Sequence, residues 1–153
     1  GKEIDEKMIR LFNAIGNQIF IDKDKLLSVN GFDEKMPAWQ DYDTWFRLIL
    51  TFGKAYKLNA CTMYLDDDET RQRITTSSKA YNGYLKFIEK HKDELSDDDL
   101  LSLSYMDQVN RKQKVSYFKL LKSRNKELVT RVVKYSLTYQ VPVLYKIYEK
   151  LFK

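Results

Sequence analysis

Beyond Thr75 the apolar residues recur at intervals of three and four, and that periodicity confines the second half of the chain to helices. Tyr81, Tyr84, Leu85 and Ile88 form one stripe, and Leu100, Leu103, Met106 and Val109 a second. Val115, Phe118 and Leu121 carry a third, Leu128, Val132 and Tyr135 a fourth, and Leu144, Ile147, Tyr148 and Leu151 the last. Ser96, followed by Asp97, Asp98 and Asp99, reads as an N-cap with carboxylates where the helix dipole favours them. The first half is mixed. Met8, Leu11, Phe12 and Ile15 make a helical stripe, Asn17 to Ile21 reads as a strand, Lys23 to Val29 as a brief helix or turn, and Asn30-Gly31 as a turn. Asp41 to Phe52 is helical, with Trp45, Leu48, Ile49 and Phe52 on one side and Gly53 to close it. Ala55 to Tyr64 suits a second strand, broken by Asp66-Asp67-Asp68-Glu69. Two strands make no independent sheet. The expected fold is therefore an α/β fragment with few strands over residues 1–75, followed by a mainly α-helical extension over 76–153, predominantly helical as a whole.

Composition narrows the class. At 43% apolar and 32% charged residues, with five Gly and two Pro in 153, the chain is neither collagenous, low-complexity nor strongly disordered. No run of about 18 apolar residues exists to span a bilayer, and the polar opening lacks the hydrophobic stretch of a secretory signal. One cysteine, Cys61, and one histidine, His91, argue against a disulfide framework, a Cys-based zinc site and a His-centred metal site. Cys61 is expected as a small buried hydrophobe in a strand, and His91 as a surface residue near a helix end. The expectation is a soluble protein of a reducing compartment. Charge is uneven: residues 1–70 carry nine Lys/Arg against thirteen Asp/Glu, net −4, whereas 111–153 carry twelve against two, net +10. Such a tail should seek phosphates.

The chemistry-bearing residues cluster in the first half. Gly31 allows a sharp turn, Phe32 anchors the loop, and Gln40-Asp41 presents a carboxylate at the mouth of a helix. Asp41 and Asp43 lie near that helix's N-terminus, where backbone N–H groups favour the ionised form. An ionised carboxylate at the rim of a cleft can act as general base toward a hydroxyl, although acids at helix starts are usually caps.

Gly31-Phe32-Asp33-Glu34, Gln40-Asp41, Asp43, Trp45 and Arg47-Leu48, set after the Asn17 to Ile21 segment, resemble the C-terminal half of bacterial family 2 glycosyltransferases. These are inverting, nucleotide-sugar-dependent enzymes of the GT-A fold, of the kind that build O-antigen and capsule repeats. The resemblance covers about residues 9 to 80 and implies that Asp41 is the catalytic base for an acceptor hydroxyl. It places Trp39, Gln40, Asp43 and Asn17 around the acceptor sugar, with Asp43 either behind the contact residues or a helix cap. Trp45 and Leu48 read as core and Arg47 as an ion-pair partner. The family's Asp-x-Asp motif, which holds Mg²⁺ or Mn²⁺ against the donor diphosphate, has no counterpart before Asp41. Asp66-Asp67-Asp68 and Asp41-Tyr42-Asp43 match it only formally. The resemblance thus implies a C-terminal fragment, inactive alone and without bound metal, of an enzyme using a nucleotide-sugar donor and a saccharide or lipid-linked acceptor.

Where many family members carry a Tyr-Arg…His segment, this chain has Arg71-Gln72-Arg73 with Thr75 and Thr76 nearby. Arg71 and Arg73 would contact the diphosphate; the alternative is a solvated loop leading to an N-cap at Thr76 or Ser77. Residues 111–153 would rest on an anionic membrane surface, at about 1 kcal/mol per Lys/Arg, or form a bundle with a solvated basic face. No nucleic-acid-binding motif accompanies those charges, so no nucleic-acid partner is expected. The location implied is cytoplasmic, free or peripheral on the inner face of the cell membrane. The rival reading is a non-catalytic helical interaction or membrane-surface module that uses the basic tail.

Overall fold

In a computed structural model of the chain the described residues are 1–61, 74, 77–115, 123 and 125–139, with side chains described as far as 135. Among them are six helices and two short strands. The chain divides into two compact units, Gly1–Leu95 and Ser96–Lys153.

The first unit begins with β1 (Lys2–Ile4) and α1 (Glu6–Leu11). Asp5 caps α1, its Oδ1 accepting from the Met8 amide at 2.8 Å. The helix stops at Leu11, short of the expected Ile15. Asn13 explains the stop: its Oδ1 accepts from the Gly16 amide at 2.9 Å and its Nδ2 donates to the Gly16 carbonyl at 3.1 Å. A side chain that satisfies the backbone locally competes with the helical ladder, and Gly16, at φ +97°, turns there.

Residues 17–21 are not a strand. Phe20 is fully exposed, and among the described residues no neighbouring strand offers this segment an edge, so β-rich composition finds nothing to pair with. Among the described residues the strands are β1, absent from the sequence reading, and β2 (Ala55–Lys57), which ends before Leu58; residues 62–64 of the expected 55–64 strand lie outside the described ones. β1 and β2 pair antiparallel, Lys2 opposite Lys57 and Ile4 opposite Ala55. Cys61 lies past β2 and is exposed rather than buried.

The short helix α2 (Lys23–Ser28) leads to Asn30 and Gly31, both at positive φ as the turn signal requires. α3 (Gln40–Phe52) follows and is closed by Gly53 at φ +85°. It buries Tyr42, Trp45, Phe46, Leu48 and Ile49, and packs on α1, where Ile9 and Leu11 are buried. The Tyr42 hydroxyl donates to the Ile9 carbonyl at 2.5 Å.

α4 (Ser78–Lys90), assigned by sequence to the extension, belongs with the first unit. Its buried face is Ala80, Gly83 and Phe87, whereas Tyr81 and Leu85 of the expected stripe are exposed. Small residues decide the phase. A Cβ on Gly83 would stand 2.6 Å from the Ala38 carbonyl oxygen, so only glycine lets α4 come this close to the 36–38 segment. Phe87 then stacks on Tyr42 with centroids 4.8 Å apart and meets Phe46 edge-on at 5.3 Å.

In the second unit α5 (Asp97–Asn110) starts with the expected cap. Ser96 and Asp99 form a reciprocal box, the Ser96 hydroxyl accepting from the Asp99 amide and Asp99 accepting from the Ser96 amide at 3.0 Å. Tyr105, Val115, Leu128 and Val132 form a buried cluster with α6 (Lys126–Tyr139). Lys112, Lys114, Lys126, Arg131 and Lys134 are exposed. The stripes at 118–121 and 144–151 lie outside the described residues. No described helix is long and apolar enough to cross a membrane.

Candidate active site

The mouth of α3 is shaped by Trp39, which precedes the helix in the left-handed region at φ +67°. A bulky side chain rarely adopts that conformation, which costs about 1–3 kcal/mol and persists only where the surroundings over-determine it. Here they do: the indole lies within 5.7 Å, centroid to centroid, of Tyr42, Tyr84 and Phe87. Trp39 is therefore buried in the aromatic core, at 8% exposure. Expected beside an acceptor sugar, it instead sets the backbone turn that presents Gln40 and Asp41.

Asp41 is half-buried. Its Oδ2 accepts from Asn13 Nδ2 at 3.1 Å. Burial pushes the carboxyl up from its ordinary value, against hydrogen bonds from the Tyr42 amide, the Asn13 side chain and its own amide, which favour the charged form. Asn13 also holds the Gly16 turn, and the Gly16 carbonyl accepts from the Trp45 indole at 2.8 Å. One loop, 13–16, thus ties the carboxylate to the body of α3. Sequence reasoning missed Asn13; the available signal was an asparagine just before a glycine turn.

Asp43 has the opposite environment. It is completely enclosed. Oδ2 accepts from Arg47 Nη2 at 2.7 Å, Arg47 Nε at 3.0 Å and Lys90 Nζ at 3.0 Å, while Oδ1 lies 2.8 Å from His91 Nε2. Burial alone would raise its carboxyl; the bonds from His91, Arg47 and Lys90 outweigh it and hold the group down at about 2. Asp43 was placed at the acceptor by sequence, but no open surface reaches it. It is the anionic centre of a buried ion cluster. Arg47 is the expected ion-pair partner, and it also donates to the carbonyls of Val29 and Gly31. Lys90 extends the cluster to Asp33 at 2.8 Å. The Gly31 to Glu34 loop is thereby bound to α3 through charge as well as through Phe32, which packs edge-on to Trp45 at 5.6 Å while staying half-exposed. His91, expected at the surface, is 3% exposed.

Asn17 is exposed and lines an open groove of about 780 Å³ together with Ile15, Ile19, Phe20, Leu48 and Ile49. Gln40 is half-buried beside Asp41, which does not line that groove. Arg71, Arg73 and Asp66 to Asp68 lie outside the described residues. Among those described, no group of three His, Cys, Asp or Glu side chains could hold a metal ion. The Asp43 oxygens are taken by Arg47, Lys90 and His91 of the protein itself.

Among the described residues the arrangement is a half-buried carboxylate hydrogen-bonded by neutral groups beside one held by cations, a pairing that suits proton abstraction by the first. The chain is 32% identical over 127 residues to a protein of Escherichia coli (strain K12) named "Putative colanic acid biosynthesis glycosyl transferase WcaA". That match covers 81% of this chain and 40% of the relative, so the chain spans less than half of the relative's length. A match of that extent necessarily includes α3. The likeness supports a glycosyltransferase. No family model matches the chain, and no solved structure matches it.

Proposed function

We propose that the protein carrying this chain is an inverting family 2 glycosyltransferase of GT-A fold, working in the assembly of a bacterial surface polysaccharide. The observation that carries the reading is the likeness to the colanic acid glycosyl transferase across a span that includes α3. The half-buried position of Asp41 at the start of that helix supports it further.

In this reading Asp41 accepts the proton of an acceptor hydroxyl as that oxygen bonds to the anomeric carbon of the donor sugar. The bond from that carbon to the diphosphate breaks on the opposite face, and the nucleoside diphosphate leaves with the electron pair. Configuration inverts without a covalent intermediate. Burial raises the basicity of Asp41, against hydrogen bonds from Asn13 and the helix amides that favour its charged form. Gln40 and Asn17 are the acceptor-side contacts of this proposal, Arg71 and Arg73 its diphosphate contacts, and the acceptor is a saccharide carried on a lipid. Mg²⁺ or Mn²⁺ would act in the full-length enzyme through residues other than those described.

The test is transfer by the protein in its natural full length, supplied with nucleotide sugars and lipid-diphosphate-linked saccharides. Release of nucleoside diphosphate that depends on acceptor, with product of inverted configuration, is the expected result. Retained configuration, or turnover undiminished by Asp41→Asn, would overturn the reading.

A further inference from the structure

His91 closes α4, with its ring enclosed between Phe46 and Phe87 at centroid distances of 4.7 and 4.6 Å. Both of its nitrogens face carboxylates: Nε2 is 2.8 Å from Asp43 Oδ1, and Nδ1 is 2.7 Å from Glu94 Oε2. An ionised carboxylate only accepts hydrogen bonds, and a neutral imidazole donates only one. With a single ring proton, one of these contacts would set lone pair against lone pair at hydrogen-bond distance. With Asp43 and Glu94 both ionised, the geometry closes only when both nitrogens donate.

The surrounding charges are shared among three helices. α3 contributes Asp43 and Arg47, and α4 contributes Lys90, which also binds Asp33. α1 contributes Arg10, whose guanidinium lies over the Phe46 ring, pairs with Glu6 and donates to the Glu94 carbonyl. The imidazole is thus the link between the cation-rich side of Asp43 and the turn that α1 grips from the other side.

We propose that His91 is a doubly protonated bridge, and that it is a positioning residue for the site: it fixes the start of α3, which carries Asp41, against α1 and the end of α4. The role given to Asp41 rests on the glycosyltransferase reading; the bridge does not, and its test involves no sugar transfer. A single histidine in 153 residues makes the test direct, because its ring resonances need no assignment.

The experiment is ¹⁵N NMR of the whole chain at neutral pH. Both ring nitrogens should show the shift of a protonated nitrogen. In Glu94→Ala one of them should move to the pyridine-type position, and the Asn13 side-chain amide, which reports the bond to Asp41, should shift with it. Glu94 is half-exposed at its side chain, so the variant removes the acceptor without opening the core. A pyridine-type nitrogen in the unmodified chain would overturn the bridge. An Asn13 resonance unmoved in Glu94→Ala would overturn the positioning role. Failure of sugar transfer in the full-length protein would overturn the functional reading and leave the bridge standing.

Discussion

Asp41 and Asp43 stand two residues apart on α3, yet the protein moves their carboxyls in opposite directions: burial raises the first, and His91, Arg47 and Lys90 hold the second at about 2. The difference is one of partners. Asp41 takes hydrogen bonds from neutral groups, Asn13 and helix amides, whereas Asp43 is met by cations. The proposed base is thus the acid without a cation among its described partners, and the other holds Arg47, Lys90 and His91 together.

Asp41→Asn follows from the first half of that relationship. In the full-length enzyme it should lower kcat by about 10²-fold or more, read from nucleoside diphosphate release. Folding should not suffer. An acid whose carboxyl is raised in the folded state disfavours folding once it ionises, so stability falls as pH rises through that value. Removing the charge should leave the thermal midpoint at pH 7 equal to or above that of the unmodified chain.

Asp43 should dominate the acid limb of stability. Its carboxyl lies near 3.8 when unfolded and at about 2 when folded, so its contribution is present above 3.8 and is lost as pH falls toward 2. The contribution is about 2 kcal/mol. Denaturant titrations between pH 5 and about 2 should show that loss. Asp43→Asn strands Arg47 and Lys90 beside a neutral amide and should cost about 3–5 kcal/mol at pH 7. An acid limb unchanged in that variant would exclude Asp43 as its source.

Gly83→Ala tests the close approach of α4. In an exposed helix this change stabilises by about 1 kcal/mol. Here the new methyl meets the carbonyl oxygen, carbonyl carbon and Cβ of Ala38 at 2.6 to 2.9 Å, and the backbone atoms among them cannot swing aside. A net loss of about 1–3 kcal/mol is expected in urea unfolding, and a gain would show that α4 does not pack as described.

Ser96→Ala removes one side of the reciprocal box that starts α5. Loss of such a cap costs about 1 kcal/mol. The signature to seek is faster amide exchange at Asp98 and Asp99, with the Asp41 environment in the first unit unchanged.

Local rules account for what could be read without the fold. α3 with Trp45, Leu48 and Ile49 of its stripe buried (Phe52, its last member, is exposed) and its closing glycine, the Asn30-Gly31 turn, the Ser96 cap and the Leu128–Val132–Tyr135 face of α6 each depend on residues within a turn or two of one another. The expected strand at 17–21 failed because a strand exists only through its neighbour, which no stretch of five residues specifies. The buried face of α4 departs from its stripe of large residues because the small ones, Ala80 and Gly83, are what permit close contact.

The sequence by itself determined where a carboxylate pair would meet the start of a helix, since that spacing is built into the chain. Only the tertiary structure decided which of the two would be held by cations and which by neutral groups. Partners 28 to 48 positions away, Asn13 for Asp41 and Lys90 and His91 for Asp43, set the charge each oxygen faces, and proximity in space rather than along the chain governs that electrostatic choice.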